Sequence, residues 1–251
     1  GAGFLSEIRS AINRHPIRGP MTDYQRYAVY YAPKADSDLA DFGNAWLGRD
    51  PATGREIDRP DIAGLDRDEI ASITVSPSRY GFHGTLKPPF ALKDGQTRAQ
   101  LESAIADYCA AASSVTCGPL LLKSIGSFIA LIPTAPTDQL GALASGLVQV
   151  LDGFRQPEDE AAMNKRRASG LSDRQEEYLV RWGYPYVMEE FRFHLTLTGK
   201  LDPDRMMRVR DELAPIVAPL CEAPFTISDV CLFGDPGDGK PFDLLRRFAL
   251  G

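Results

Sequence analysis

The sequence withholds most of the usual signs of function. No apolar run approaches eighteen residues, which excludes a membrane-spanning helix. The opening GAGFLSEIRSAINRHPIRGP has neither the basic start nor the long apolar core of a secretory leader. Residues 1–20 begin with Gly, Met21 follows them, and they read as a cloning remnant or a disordered extension outside the fold; His15 falls among them. The four cysteines (Cys109, Cys117, Cys221, Cys231) show no C-x-x-C or zinc spacing, which leaves buried thiols in a reducing cytoplasm. Basic residues are outnumbered, 28 against 34 acidic, for a net charge of −6 and a pI of about 5.2. Such a chain has no general attraction for a nucleic-acid backbone, so any phosphate must be handled in a local pocket. Histidine is scarce too, with three in 251 residues.

Against those absences stands an ordinary globular composition, 43% hydrophobic and 25% charged, at a length that allows one large domain or two intimate lobes. YQRYAVYYAP at 24–33 reads as a strand ending at Pro33. A helix follows between a cap at Asp36 or Ser37 and a stop at Gly48, then a polar loop over 49–62 and a short helix over Asp66–Ala71. Thr97 and Gln100 form a capping box for a helix with Leu101, Ile105, Tyr108 and Cys109 on one face. GPLLLKSIGSFIALIP gives two strands around Ser124–Ser127, and a second amphipathic helix starts near Thr137. Residues 152–186 form a charged insertion with a small helix of its own, capped at Ser172/Gln175 and stopped at Gly183. A helix opened by Asp202-Pro203 and two strands, FTISDVCLFGD and PFDLLRRFAL, complete the chain. GDPGDGK at 234–240 lacks the complete G-x-x-x-x-G-K-[ST] motif and a following helix, and reads as a hairpin turn.

Two of the three histidines sit in the same pattern, His83-Gly84-Thr85-Leu86 and His194-Leu195-Thr196-Leu197. After each the order is strand, helix, strand, strand, which marks a degenerate internal duplication. The expected fold is therefore α+β: bilobal, internally duplicated antiparallel sheets with outer helices and a central cleft. Alternation along a strand puts residues two apart on one face. Gly81, His83, Thr85 and Lys87 share one face of the first strand, and Arg192, His194, Thr196 and Thr198 share one face of the second. The opposite faces carry Phe82 and Leu86, and Phe191, Phe193, Leu195 and Leu197. One such strand is unremarkable in a half-solvated sheet; two at matching places of a duplicated fold point to a shared site.

Histidine, with a pKa near 6.5, can be neutral on one side of a phosphodiester and protonated on the other. The pair can then act as general base and general acid in one in-line displacement. A threonine hydroxyl beside each can donate to the non-bridging oxygens. No metal or cofactor is needed for this scheme, and the histidines lack the company of a hydrolytic metal site.

The paired H-x-[ST]-φ motifs in a duplicated α+β chain resemble the 2H phosphoesterase superfamily, which includes LigT-like cyclic phosphodiesterases. The resemblance implies His83 and His194 as acid and base, with Thr85 and Thr196 holding the phosphate. The longer strings RYGFHGTLKPPF and RWGYPYVMEEFRFHLTLTG look like a bacterial branch associated with phosphonate metabolism. That implies a small ribosyl cyclic phosphate as substrate for a cytoplasmic, monomeric hydrolase without a membrane partner. The insertion at 152–186 departs from the simpler members.

Further substrate-binding candidates are Lys87 and Tyr80 beside the first motif, Arg192 beside the second, and Tyr184 and Tyr186 in RWGYPY. The lysine and arginine can contact phosphate, and the aromatics can either stack on a base or sugar or pack to seat the insertion on the body. NKRR at 164–167 is either a phosphate clamp on a lid or a solvated surface. Two other functions fit the same motifs: processing of RNA 2′,3′-cyclic ends or oligonucleotides, for which the acidic pI is unsuited, and non-catalytic nucleotide binding.

Overall fold

The structure, a computed structural model, describes residues 24–251; the expectations for residues 1–20 and His15 lie outside them. Strand β1 (Arg26–Tyr31) leads to α1 (Asp38–Leu47), where the Ser37 side chain accepts from the Ala40 amide and Gly48 closes the helix at φ 75°. Helix α2 spans Arg67–Ser78 from an Asp66 cap. It runs well past the expected end at Ala71, because burial of Ile73 and Thr74 overrides the low helix propensity of the β-branched run. Then come β2 (Gly84–Phe90), α3 (Arg98–Ala111), β3 (Val115–Ile125), β4 (Phe128–Pro133) and α4 (Asp138–Val150). The charged segment holds two helices rather than one, α5 (Glu160–Arg167) and α6 (Asp173–Trp182). The capping boxes at Thr97/Gln100 and Ser172/Gln175 both form.

Strand β5 is only Leu195–Thr196; α7 (Pro203–Val217), β6 (Pro224–Ile227), β7 (Asp229–Asp235) and β8 (Asp243–Ala249) follow. FTISDVCLFGD is thus two strands, broken at Ser228: β6 pairs with β3, and β7 with β1 and β8. The 234–240 segment makes the β7–β8 hairpin connection, as its composition suggested.

Among the described residues, all eight strands join one antiparallel sheet in the order β6-β3-β4-β5-β2-β1-β7-β8. The two H-x-T strands do not face each other across a gap; they are hydrogen-bonded neighbours at the sheet centre. The chain halves also interleave. The β3–β4 hairpin follows the first motif but flanks β5 of the second, while β7 and β8 follow the second motif but extend the side of the sheet that holds β2. One sheet face packs on the helices through a core that includes Val29, Trp46, Leu86, Ile105, Leu147, Leu195 and Leu213. A smaller cluster of Ala28, Tyr30, Ala32, Cys231, Phe233 and Phe242, with Tyr80 against it, lies on the other side of β1. Among the described residues, no helix is long and apolar enough to cross a membrane.

Candidate active site

Strands β2 and β5 pair Gly84 with Leu195. In an antiparallel register the residues on either side are then opposed as well, so His83 faces Thr196 and Thr85 faces His194. The central strand pair therefore interlocks the two motifs into a quartet on one sheet face, with opposed Cβ atoms ~5 Å apart. Gly84 is required at its position by packing: a Cβ there would stand 2.4 Å from Cζ of Phe193 and 3.1 Å from Leu195.

The histidines are held alike. His83 Nδ1 lies 2.8 Å from the Gly81 carbonyl, and His194 Nδ1 lies 2.7 Å from the Arg192 carbonyl. A carbonyl only accepts, so each Nδ1 carries a proton and each Nε2 is left for chemistry. Thr85 Oγ1 stands 3.3 Å from His83 Nε2 and can donate to it. Gly81 presents its carbonyl from φ 77°, with Pro51 where a Cβ would go.

The surroundings of the two rings differ. Tyr30 lies against the His83 imidazole with centroids 4.0 Å apart and planes 30° apart, and Tyr80 and Phe233 stand at 5.9 and 6.5 Å. His194 has Phe128 at 5.7 Å. Burial pushes the His83 pKa down to about 4; the Gly81 carbonyl opposes the shift and His194 adds to it. A charged, desolvated imidazole over Tyr30 would recover ~2 kcal/mol as a cation–π contact. The fall from 6.5 to about 4 corresponds to roughly 3 kcal/mol, so desolvation wins and the neutral ring is favoured.

Lys87 departs from the expected arrangement. Thr85 is opposite Tyr30 and Lys87 is opposite Val29, with a register shift between them. This β-bulge inserts Leu86 and turns Lys87 off the His83–Thr85 face toward the core side that Val29 occupies. Lys87 is 2% exposed, and its Nζ donates to the Val148 carbonyl in the last turn of α4 and lies 4.8 Å from the Phe90 ring centroid. Burial lowers its pKa to about 8. It lines a narrow cavity with Arg155, Trp182 and Tyr184. Thr198, expected on the His194 face, is buried and accepts from the Ile129 amide at 3.0 Å.

Tyr80 stands beside His83, with ring centroids 5.9 Å apart. Arg192 is exposed, and its Nη1 donates to the carbonyls of Glu189 and Phe191 at 2.6 and 2.7 Å, so only its own carbonyl engages His194. Tyr184 packs edge-on to Tyr186 at 5.7 Å, lies under the Arg166 guanidinium at 5.0 Å and joins Trp182 and Met188 around Val148, Tyr178 and Val187. That cluster seats the insertion on α4, which is the packing role; Tyr186 is exposed. Sequence reasoning missed Tyr30 and Gly81. A Tyr in a first strand signals only a strand, and nothing local reveals that β1 lies beside β2. A concavity of about 1300 Å³ lies between α1, the 49–59 loop and α2, and neither histidine lines it.

Comparison with known proteins places the chain in context. It is 36% identical over 230 residues to a protein of Janthinobacterium sp. (strain Marseille) named ribose 1,5-bisphosphate phosphokinase PhnN, covering 90% of this chain and 51% of that one. A protein of the same name from Laribacter hongkongensis (strain HLHK9) is 35% identical over 225 residues, covering 88% and 51%. The chain thus spans about half the length of the curated relatives it matches. Among solved structures, E. coli LigT complexed with 3′-AMP is 14% identical at a TM-score of 0.41, covering 91% of this chain and 99% of that one. A structure described as a phosphoesterase is 15% identical at a TM-score of 0.38, with the same two coverages. A family model described as a protein of unknown function, DUF1045, matches residues 85–243, more than half of the sequence, and the chain belongs to that family.

Proposed function

We propose that this chain is a metal-independent cyclic phosphodiesterase of the 2H phosphoesterase type, acting on a small cyclic phosphate with His83 and His194 as its acid–base pair. The observation that carries this reading is the interlocked quartet: two imidazoles, each with Nδ1–H committed to a carbonyl two residues upstream, set beside opposed threonines on adjacent strands. One Nε2 takes a proton from water as the new P–O bond forms. The other gives its proton to the sugar oxygen as the ring P–O bond breaks. Thr85 and Thr196 supply donors for the non-bridging oxygens. Tyr80, beside His83, is the aromatic candidate for contact with the sugar.

The name of the curated relatives bears on the substrate. Opening a 5-phosphoribosyl 1,2-cyclic phosphate with the phosphate retained on C1 yields ribose 1,5-bisphosphate, the sugar in that name. We infer a ribosyl cyclic phosphate of this kind, arising in phosphonate breakdown, as the substrate.

The test is a screen of ribosyl 1,2-cyclic phosphates, 2′,3′-cyclic nucleotides and 2′,3′-cyclic RNA ends, with products followed by phosphorus NMR. His83→Ala and His194→Ala should each lower turnover by about 10²-fold or more, and EDTA should leave the rate unchanged. Near-wild-type rates in both variants would sink the acid–base pair. Preference for the RNA ends would move the enzyme to oligonucleotide processing.

A further inference from the structure

The two halves of the quartet differ at one cross-strand position. Thr85 is opposed on its outer side by Tyr30 of β1, while its counterpart Thr196 is opposed on its outer side by Ala130 of β4. The carbonyl bonds to the two Nδ1 atoms are the same to within 0.1 Å, at 2.8 and 2.7 Å. The duplication has therefore put an aromatic ring where one histidine can lie against it and a methyl group at the matching place beside the other.

Tyr30 is built to stay there. It is 1% exposed, with Phe233 at 5.0 Å and Phe242 at 6.4 Å from its own ring centroid. A stiff aromatic backed by two others cannot swing away when the imidazole takes up charge. We propose that Tyr30 is a positioning residue that makes the duplicated site unequal: it covers one face of the His83 imidazole, holds that ring as the neutral base and leaves the acid role to His194. This rests on the two-histidine reading above and resolves a choice that the sequence symmetry leaves open. His83 Nε2 then takes the proton from the attacking water, and His194 Nε2–H protonates the leaving sugar oxygen. Two proton exchanges with solvent restore the resting pair, so atoms and charge balance over the cycle.

The neighbouring groups do not reverse this assignment. His194, across the strand pair, opposes charge on His83. Tyr80 faces His83 from just beyond α2, and Tyr184 of the insertion opposes negative charge on Tyr30. Arg26 and Asp235 act on Tyr30 from β1 and β7, and Asp235 is paired with both Arg26 at 2.6 Å and Arg79 at 3.4 Å. The only carboxylate among these groups is thus already neutralised by two arginines.

The experiment is an NMR titration of the full chain with labelled histidine, its imidazole signals assigned with His83→Gln and His194→Gln. In the wild type His83 should titrate well below its ordinary value. Tyr30→Leu should raise its midpoint by about one unit or more, a tenfold change in proton affinity. Tyr30→Phe keeps the ring and should leave the His83 midpoint within about a few tenths of wild type. A wild-type His83 midpoint near 6.5 overturns the inference even if the leucine variant does not fold. So does a fall in Tyr30→Leu, which would mean that cation–π attraction governs, or an equal rise in Tyr30→Phe, which would assign the effect to the hydroxyl. Failure of the enzymatic reading looks different: the titration pattern intact, and no cyclic phosphate hydrolysed.

Discussion

Substituting Gly84→Ala adds one methyl group between the two motifs, and its consequence can be worked from the packing. The new Cβ would meet Cζ and Cε2 of Phe193 at 2.4 and 2.5 Å, against an ordinary carbon–carbon contact of about 3.5–4.0 Å. The ring would have to retreat by ~1 Å or more, yet Phe193 is itself buried, with Tyr31 at 6.0 Å and Phe225 at 5.4 Å. Position 84 does not require positive φ, so alanine alone would add about 0.4–1 kcal/mol by restricting the unfolded chain. Overpacking of about 1–3 kcal/mol outweighs this, and at about 2–4 °C per kcal/mol the melting temperature should fall by several degrees. The same shift pulls Leu195 away from its pairing, so the alignment of His83 with Thr196 should loosen and turnover should fall further than stability alone explains. The assay is thermal unfolding by circular dichroism on wild type, Gly84→Ala, Phe193→Leu and the double variant. The double variant should lose less than the two singles together, because leucine frees the space that alanine needs. An unchanged melting temperature in Gly84→Ala, or strict additivity, would refute the packing argument.

Other predictions follow from the buried ionisable groups. Lys87 titrates at about 8 when folded and near 10.5 when unfolded, so between those values the unfolded chain binds more protons and stability rises with pH. Lys87→Met should therefore be more stable than wild type at pH 7, with the advantage shrinking by roughly pH 9.5 in urea titrations; a constant difference would argue against a charged, desolvated lysine. His83 has the same sign in another window: its stability contribution is lost as pH falls from 6.5 toward about 4. Wild type should lose about 2–3 kcal/mol relative to His83→Gln between pH 7 and pH 4.5, and parallel stability curves would contradict this. Thr85→Val and Thr196→Val should lower kcat by roughly 10-fold or more with little change in melting temperature, if the hydroxyls serve the phosphate. Arg192→Ala should leave kcat within about twofold of wild type, since its side chain serves the backbone of a turn rather than the histidine; a large loss would return Arg192 to the substrate.

Much of the architecture was legible because its determinants are local. The caps at Ser37, Thr97, Thr137, Ser172 and Asp202 all accept hydrogen bonds from backbone amides three residues on, and an amide that close is satisfied by chain geometry alone. The β3–β4 hairpin and the pairing of each histidine with a threonine two residues later follow from strand alternation. Helix α2 ran longer than its propensities suggest because its final turns are held by burial rather than by local preference. Lys87 was misplaced because a bulge shifts the phase of alternation by one residue, and a bulge is a property of two strands together.

Local signals in the chain specify most of the elements, the repeated motif and the four polar side chains of the quartet, but not the second helix of the insertion or the break at Ser228. That the motifs are direct neighbours, that the sequence halves interleave across them, and that Tyr30 and Ala130 occupy matching places beside the two threonines emerges only from the assembled sheet. Short-range hydrogen bonds and side-chain periodicity are encoded within a few residues, whereas strand order and register emerge from burying one continuous apolar face, and that requires the whole chain.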